Sequence, residues 1–105
     1  LGENIADHGG LQVSYQAFKN ATVQAPLKDE NGFTPEQRFF LAYANVWAGN
    51  IRPEEILRLT KLDVHSLGKW RVNGALPQIG AWYEAFDVTE DDPMFLPVDK
   101  RVSIW

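Results

Sequence analysis

Residues 34–47 of the chain, TPEQRFFLAYANVW, decide the fold. Thr34 is a good N-cap, Pro35 suits the first helical position, and Gln37 stands where a capping box places its third helical residue. Large apolar side chains then cover most of the helix circumference up to a stop near Gly49, so other elements must cover this helix. Those side chains are Phe39, Phe40, Tyr43, Val46 and Trp47. The stretch therefore predicts a core helix.

A second helix is predicted upstream, from Glu3 to about Val23, because apolar residues recur there at spacings near three to four. Those residues are Ile5, Leu11, Tyr15 and Phe18. Gly9 and Gly10 weaken the prediction, since each glycine inside a helix costs about 1 kcal/mol relative to alanine. The pair requires close packing or a local break, with helix on both sides. Residues 24–32 are rich in turn-forming side chains and predict an exposed loop.

Downstream, Pro53 and the two acidic residues after it predict a helix that ends near Asp63. Its apolar side is formed by Ile56, Leu59 and Leu62. Residues 63–77 have no sustained hydrophobic period, so we predict an ordered loop with a short extended piece at Trp70–Val72. A last helix is predicted over Gln78–Phe86. The fold class expected is mainly α, with four to five helices and ordered loops.

The composition restricts the possible partners. The chain has 105 residues and a formal net charge of −4, without any run of Lys or Arg. We therefore expect one domain or a piece of one, no nucleic-acid partner and no membrane contact from this segment. Because the chain has no cysteine, any metal ligand must be His, Asp or Glu. Leu1 already belongs to a helical pattern, which indicates a piece of a longer protein.

Glu3 and Asp7 stand four residues apart, so on a helix their β-carbons stack on one face, roughly 5–6 Å apart. Two such carboxylates can bind a cation, or one can ligate while the other orients a histidine ligand. The alternative is a pair of solvated acids near a helix N-terminus, where the helix dipole favours them. Spacing alone favours that alternative. His8, beside Asp7, has a weaker case for function.

His65 has Asp63 two residues before it and Arg71 six residues after it. A histidine and an arginine presented together can donate hydrogen bonds to an oxyanion, and a nearby carboxylate can keep that histidine protonated. A plain surface histidine is the alternative that spacing alone favours.

Four tryptophans could suggest a site on which a ligand stacks. They are Trp47, Trp70, Trp82 and Trp105. Aromatic residues at helical spacing are usually core residues, and we assign most of the four to the core.

Four blocks occur in order over essentially the whole chain. They are Gly2-Glu3-Asn4-Ile5-Ala6-Asp7 with Gly9-Gly10-Leu11, Phe39-Phe40-Leu41 through Val46-Trp47, Asp63-Val64-His65-Ser66 with Arg71-Val72-Asn73-Gly74, and the C-terminal end with Trp105. Together they resemble the neprilysin family of zinc metallopeptidases, M13. The resemblance implies that residues 1–105 are the helical C-terminal part of a gluzincin-type, thermolysin-like catalytic domain. The His-Glu-x-x-His helix of that domain would lie upstream.

The resemblance also implies roles for particular residues. Glu3 matches the third zinc ligand, and Asp7 matches an acid that hydrogen-bonds a zinc-binding histidine. His65 matches the residue that stabilises the oxyanion, with Asp63 supporting it, and Arg71 matches the residue that holds a substrate carbonyl. Residues that help line the pocket for the side chain after the scissile bond are matched by Val46 and Trp47.

The implied parent protein is an endopeptidase with one zinc ion that hydrolyses oligopeptides. This segment alone is expected to be inactive and to bind no zinc. Its expected partner is the rest of its own catalytic domain, and in isolation it is expected to self-associate. The alternative is a stand-alone helical interaction module, or an inactive relative with no metal site.

The location implied for the parent is periplasmic, secreted or cell-envelope, with the cytoplasm also open. Ala48, Val88 and Val102 stand where secreted animal members often have cysteine, which indicates a bacterial-type member.

Overall fold

Helices make up most of the computed structural model, which describes residues 2–49, 52–62 and 68–102. The α-helices are α1 (Gly2–Gln24), α2 (Pro35–Val46), α3 (Pro53–Leu62), α4 (Gly68–Asn73) and α5 (Gly80–Phe86), and short 3-10 helices occupy Leu76–Gln78 and Val98–Lys100. Within the described ranges there is no strand, only an isolated bridge between Glu30 and Phe33. The predicted mainly α class is confirmed.

The first helix, α1, passes through Gly9 and Gly10 without a break. Gly9 is buried, whereas a β-carbon added at Gly10 would meet nothing within 4 Å. The helix is continuous, and no described residue packs closely enough against Gly10 to require glycine there. No helix in the described part of the chain is both long and apolar enough to cross a membrane.

The N-terminus of α2 has the capping box that the sequence predicts. The Thr34 hydroxyl accepts a hydrogen bond from the Gln37 N–H at 3.1 Å, and the Thr34 N–H donates to Gln37 Oε1 at 3.0 Å. The helix ends at Val46, before the predicted stop near Gly49, and Trp47 is its C-cap. Phe40, only 1% exposed, is the most buried large side chain of this helix.

The core lies where α2 packs against α5, with contributions from α1 and from the segment around the first 3-10 helix. Its buried hydrophobic residues are Leu11, Phe40, Ala75, Leu76, Ile79, Trp82 and Tyr83. Rings of α1 meet this core through α2: the Tyr15 ring lies 5.2 Å from the Phe39 ring and 5.2 Å from the Phe40 ring. Aromatic side chains, together with the Lys19–Glu36 ion pair, thus join α1 to α2.

The segment after α5 is held against the core by Tyr83. The Tyr83 hydroxyl donates to the Pro77 carbonyl at 2.7 Å and accepts from the Leu96 N–H at 3.0 Å. The Arg101 guanidinium lies 3.6 Å from the centre of the Tyr83 ring and donates from Nε to the Leu96 carbonyl at 2.7 Å. These contacts fix residues 96–101, within which Val98–Lys100 form a short 3-10 helix.

The prediction of a loop with an extended piece at Trp70–Val72 is wrong, because residues 68–73 form α4. Six residues make less than two helical turns, so the apolar pattern has no room to repeat. The last helix starts at Gly80 rather than Gln78, since Leu76–Gln78 forms a 3-10 helix.

The assignment of tryptophans to the core is right for Trp82 and wrong for Trp70. Trp82 is 7% exposed and belongs to the core cluster, whereas Trp70 is 54% exposed. Trp47 is partly buried at the end of α2. Trp105 lies outside the described residues.

Candidate functional site

Asp7 and Arg71 form an ion pair where α1 packs against α4. Arg71 Nη2 donates to Asp7 Oδ1 at 2.9 Å, and Arg71 Nε donates to Asp7 Oδ2, so the pair is bidentate. The Arg71 side chain is only 8% exposed and the Asp7 side chain only 15% exposed. A bidentate pair with this little solvent contact holds the guanidinium plane in one orientation.

Trp47 provides a second contact for the same guanidinium. The Arg71 guanidinium carbon lies 4.2 Å from the centre of the Trp47 ring, a cation–π geometry. The indole Nε1 of Trp47 is buried and has no hydrogen-bond acceptor among the residues described. The ring therefore acts here as a flat surface for Arg71.

Gly68 allows α4 to begin directly beside Trp47. A β-carbon at position 68 would lie 2.7 Å from the Trp47 carbonyl oxygen and 3.2 Å from the Trp47 Cβ. The first of these distances is too short for any real contact, so a side chain here would push α4 away from the end of α2. Nothing in the sequence alone indicates this role for Gly68.

Tyr43 connects α2 to the main chain of Arg71. Its hydroxyl donates to the Arg71 carbonyl oxygen at 2.9 Å. Burial and then the negative charge of Asp7 raise the pKa of Tyr43, against smaller opposing effects of Trp47 and Arg71. The hydroxyl consequently stays protonated at neutral pH and remains a donor. A tyrosine among the apolar residues of a core helix is the sequence feature that could have revealed this role, because the hydroxyl of a buried tyrosine usually has a hydrogen-bond partner.

An open pocket of about 400 Å³ lies between α1 and α2 next to the ion pair. Its walls include Ala6, Asp7, Gly10, Phe39, Tyr43 and Val46. Val46 is 72% exposed and stands at the rim. The structure thus brings Val46, Trp47, Asp7 and Arg71 into one region.

Three predicted site residues have side chains outside the described part of the chain. Glu3 lies in α1 one turn before Asp7, but its side chain is outside the described part. Asp63 and His65 lie outside the described residues altogether. Their assigned roles remain predictions.

His8 is a packed residue rather than a surface one. It is 3% exposed, its Nε2 lies 2.8 Å from Gln12 Nε2 in a hydrogen bond, and burial lowers its pKa. No group of three or more His, Cys, Asp or Glu in the described part of the chain is arranged to hold a metal ion. A metal site that includes a described His, Asp or Glu residue would also need ligands from outside the described part of the chain.

Residues 1–102 match peptidase family M13. The chain belongs to this family. Among M13 relatives, it is 38% identical over 109 residues to human "Membrane metallo-endopeptidase-like 1" and 36% identical over 108 residues to human "Neprilysin". It is 40% identical over 105 residues to the "Neutral endopeptidase" of Lactobacillus helveticus. Each comparison covers 100% of this chain, which spans 14% of each relative's length.

The M13 fold is also found in solved structures similar to this chain. The inhibitor complex of the zinc metalloprotease Zmp1 from Mycobacterium tuberculosis has a TM-score of 0.92 at 40% identity, over 99% of this chain and 16% of that one. The open state of Zmp1 gives the same values. The resemblance to the neprilysin family is thereby confirmed, and the helical arrangement described above is that of an M13 metallopeptidase segment.

Proposed function

We propose that the protein containing this chain is a zinc-dependent endopeptidase that hydrolyses oligopeptides, and that residues 1–105 are the C-terminal part of its catalytic domain. Membership of peptidase family M13 supports the reaction class. The observation that carries the proposal within this chain is the buried ion pair of Asp7 and Arg71 beside an open pocket. The family match disfavours a stand-alone interaction module.

Arg71 would donate a hydrogen bond to a carbonyl of the bound peptide. A guanidinium carries five N–H donors, so the two bonds to Asp7 and one to a substrate carbonyl are compatible on donor count. The Asp7 pair and the Trp47 ring fix the side chain before substrate arrives, which reduces the entropy lost on binding. Val46 at the pocket rim, with Trp47, would contact the side chain after the scissile bond.

Glu3 would be the zinc ligand that this chain supplies, and Asp7 would orient a histidine ligand from elsewhere in the protein. The two positions lie one turn apart in the continuous helix α1. A carboxylate has about four lone-pair sites, so Asp7 can accept from a histidine N–H as well as from Arg71. A carboxylate is an accepted zinc ligand. Bound zinc supplies Lewis-acid activation of water and of the peptide carbonyl.

His65, in its protonated form, would donate a hydrogen bond to the oxyanion that develops when the peptide carbonyl is attacked. Asp63 would keep His65 protonated by its negative charge. With Arg71 on the neighbouring carbonyl, this segment would supply hydrogen-bond donors on the substrate rather than the base that activates water.

The rest of the catalytic domain would cover the apolar side chains that α1 and α2 leave exposed. Ile5 and Val13 on α1 are 51% and 57% exposed, and Leu41 and Val46 on α2 are 40% and 72% exposed. Exposed apolar groups at this density favour association. The isolated segment would therefore self-associate and, without its zinc-binding helix, would be inactive.

The test is steady-state cleavage of a fluorogenic oligopeptide by the full-length protein and its variants, with zinc content measured on each. Glu3→Gln should lose zinc and turnover together. His65→Ala should keep zinc and lower kcat by roughly two to three orders of magnitude, as loss of an oxyanion donor does. Glu84→Gln, an exposed change on α5, is the matched control and should retain both. Full activity in the Glu3 and His65 variants would overturn the proposal.

A further inference from the structure

Tyr43 lies on α2, and Trp47, one turn later, is the C-cap of that helix. Both residues contact Arg71. The Trp47 ring contacts the Arg71 side chain, while the Tyr43 hydroxyl binds the Arg71 main-chain carbonyl at 2.9 Å. Arg71 is thus held from α2 at two separate points. A residue held at backbone and side chain has little freedom to move its guanidinium.

The hydrogen bond from Tyr43 falls in the last turn of a very short helix. The carbonyls on either side of Arg71 are bound within the local chain: Trp70 O accepts from the Gly74 N–H at 2.9 Å and Val72 O accepts from the Ala75 N–H at 3.2 Å. The Arg71 carbonyl between them accepts from the Tyr43 hydroxyl instead. Because the last carbonyls of any helix lack intrahelical donors, a side-chain donor at this place stabilises the helix end.

We propose that Tyr43 is a positioning residue whose hydroxyl fixes the last turn of α4 against α2, and thereby sets where the Arg71 guanidinium meets the substrate. The inference rests on the proposed function of Arg71. It goes beyond that function because it assigns the Tyr43 hydroxyl, which binds the Arg71 carbonyl, a role in placing Arg71. Its action depends entirely on Arg71, and that dependence can be measured.

The charges around the hydroxyl keep it suited to this role. Asp7 lies close enough to raise the pKa of Tyr43 further, after burial, so the tyrosine does not lose its proton in the neutral range. Phenylalanine at this position would preserve the ring in the pocket wall and remove only the hydrogen bond. Small displacements of a positioned donor are costly to turnover, since catalysis depends on the near-attack geometry.

The experiment is a double-mutant cycle on the full-length protein with Tyr43→Phe, Arg71→Lys and the combined variant. Lysine keeps a positive charge for Asp7 but loses the fork that binds a carboxylate at two points, so the fold is retained while the positioned donor is lost. We expect Tyr43→Phe to lower kcat/KM roughly three- to tenfold, the range for one neutral hydrogen bond. In the Arg71→Lys background the same change should have almost no effect.

Tyr15→Phe is the matched control. Its ring, on α1, stacks on the Phe40 ring of α2 at 5.2 Å, and its hydroxyl makes no hydrogen bond to the described residues. It should leave kcat/KM unchanged. Tyr43→Phe also removes a hydrogen bond at a helix end, so its melting temperature should be the lower of the two. A purely structural Tyr43 would lower melting temperature and active fraction without depending on Arg71.

The outcomes separate this inference from the proposed function. If Arg71→Lys leaves kcat/KM unchanged, Arg71 does not hold substrate and both proposals fail. If Arg71→Lys lowers kcat/KM while Tyr43→Phe does not, or does so equally in both backgrounds, the positioning role is overturned and the role of Arg71 stands.

Discussion

Asp7 and Arg71 are 64 residues apart in the sequence and share two hydrogen bonds in a region where both side chains are mostly buried. The pair connects α1, which carries Glu3, to α4, which carries the proposed substrate donor. Any movement of one helix against the other would displace both the Asp7 carboxylate and the Arg71 guanidinium. The two proposed tasks, orienting a zinc ligand and binding a substrate carbonyl, therefore depend on one rigid contact.

Removing one partner of this pair should be more destabilising than removing both. Asp7→Ala removes the carboxylate that binds the mostly buried Arg71 guanidinium at two points and should lower the unfolding free energy by about 3–5 kcal/mol, whereas adding Arg71→Met, which removes the guanidinium as well, should recover part of that loss. Denaturant unfolding of the full-length protein measures both. Glu30→Ala, which breaks an exposed pair with Arg38, should cost at most about 1 kcal/mol. Equal losses in the Asp7 and Glu30 variants would contradict the prediction.

The capping box of α2 should make a measurable contribution to stability. Thr34→Ala removes the acceptor for the Gln37 N–H and should lower the unfolding free energy by about 0.5–2 kcal/mol. Thr34→Ser keeps the hydroxyl and should lose much less. Denaturant titration of the two variants decides between a capping effect and a packing effect of the Thr34 methyl group, because a serine variant as weak as the alanine variant would point to packing.

The start of α2 could be predicted from the sequence because its signals are local. Thr34, Pro35 and Gln37 lie within four positions, and each acts on backbone groups of the same turn. α4 could not be predicted in the same way, because six residues are too few to show a helical period. What defines α4 is tertiary: Tyr43 binds its last turn and Gly68 permits its approach to Trp47.

The family resemblance indicates which residues form the candidate site, but it does not indicate their geometry. Spacing alone favours solvated acids for Glu3 and Asp7, because no pattern in the sequence near Asp7 indicates its ion pair with Arg71. The sequence groups Arg71 with His65 and Asp63, six and eight residues away and outside the described part, and does not reveal its pair with Asp7 of α1. Long-range pairs of this kind follow from helix packing and leave no local pattern.

His8 should make stability fall as the pH drops below its ordinary pKa. Burial lowers the pKa of His8 in the folded state from 6.5, so the unfolded chain binds more protons between the two values. Stability is therefore complete above about pH 6.5 and decreases towards the folded pKa, by up to about 1.4 kcal/mol per pH unit. Comparing unfolding at pH 7.5 and pH 5.5 in the wild type and in His8→Gln isolates this contribution. Identical pH dependence in both proteins would show that His8 is not its source.

Gly68→Ala should damage the site, whereas Gly80→Ala should not. Each glycine is the first residue of its helix, α4 or α5, so the two substitutions are matched in helical position. The new methyl group at position 68 would sit 2.7 Å from a backbone oxygen of Trp47, which cannot rotate away, whereas at position 80 it would meet nothing within 4 Å.

We expect Gly68→Ala to push α4 off the end of α2, separate Arg71 from the Trp47 ring and lower kcat/KM for an oligopeptide by roughly tenfold or more, as misplacement of a binding group does. Tryptophan fluorescence should report the change at Trp47 independently of activity. Gly80→Ala should keep activity and leave stability unchanged or slightly improved, by up to about 1 kcal/mol, because alanine restricts the unfolded chain more than glycine does. Wild-type activity in Gly68→Ala would mean that the approach of α4 to Trp47 does not set the position of Arg71.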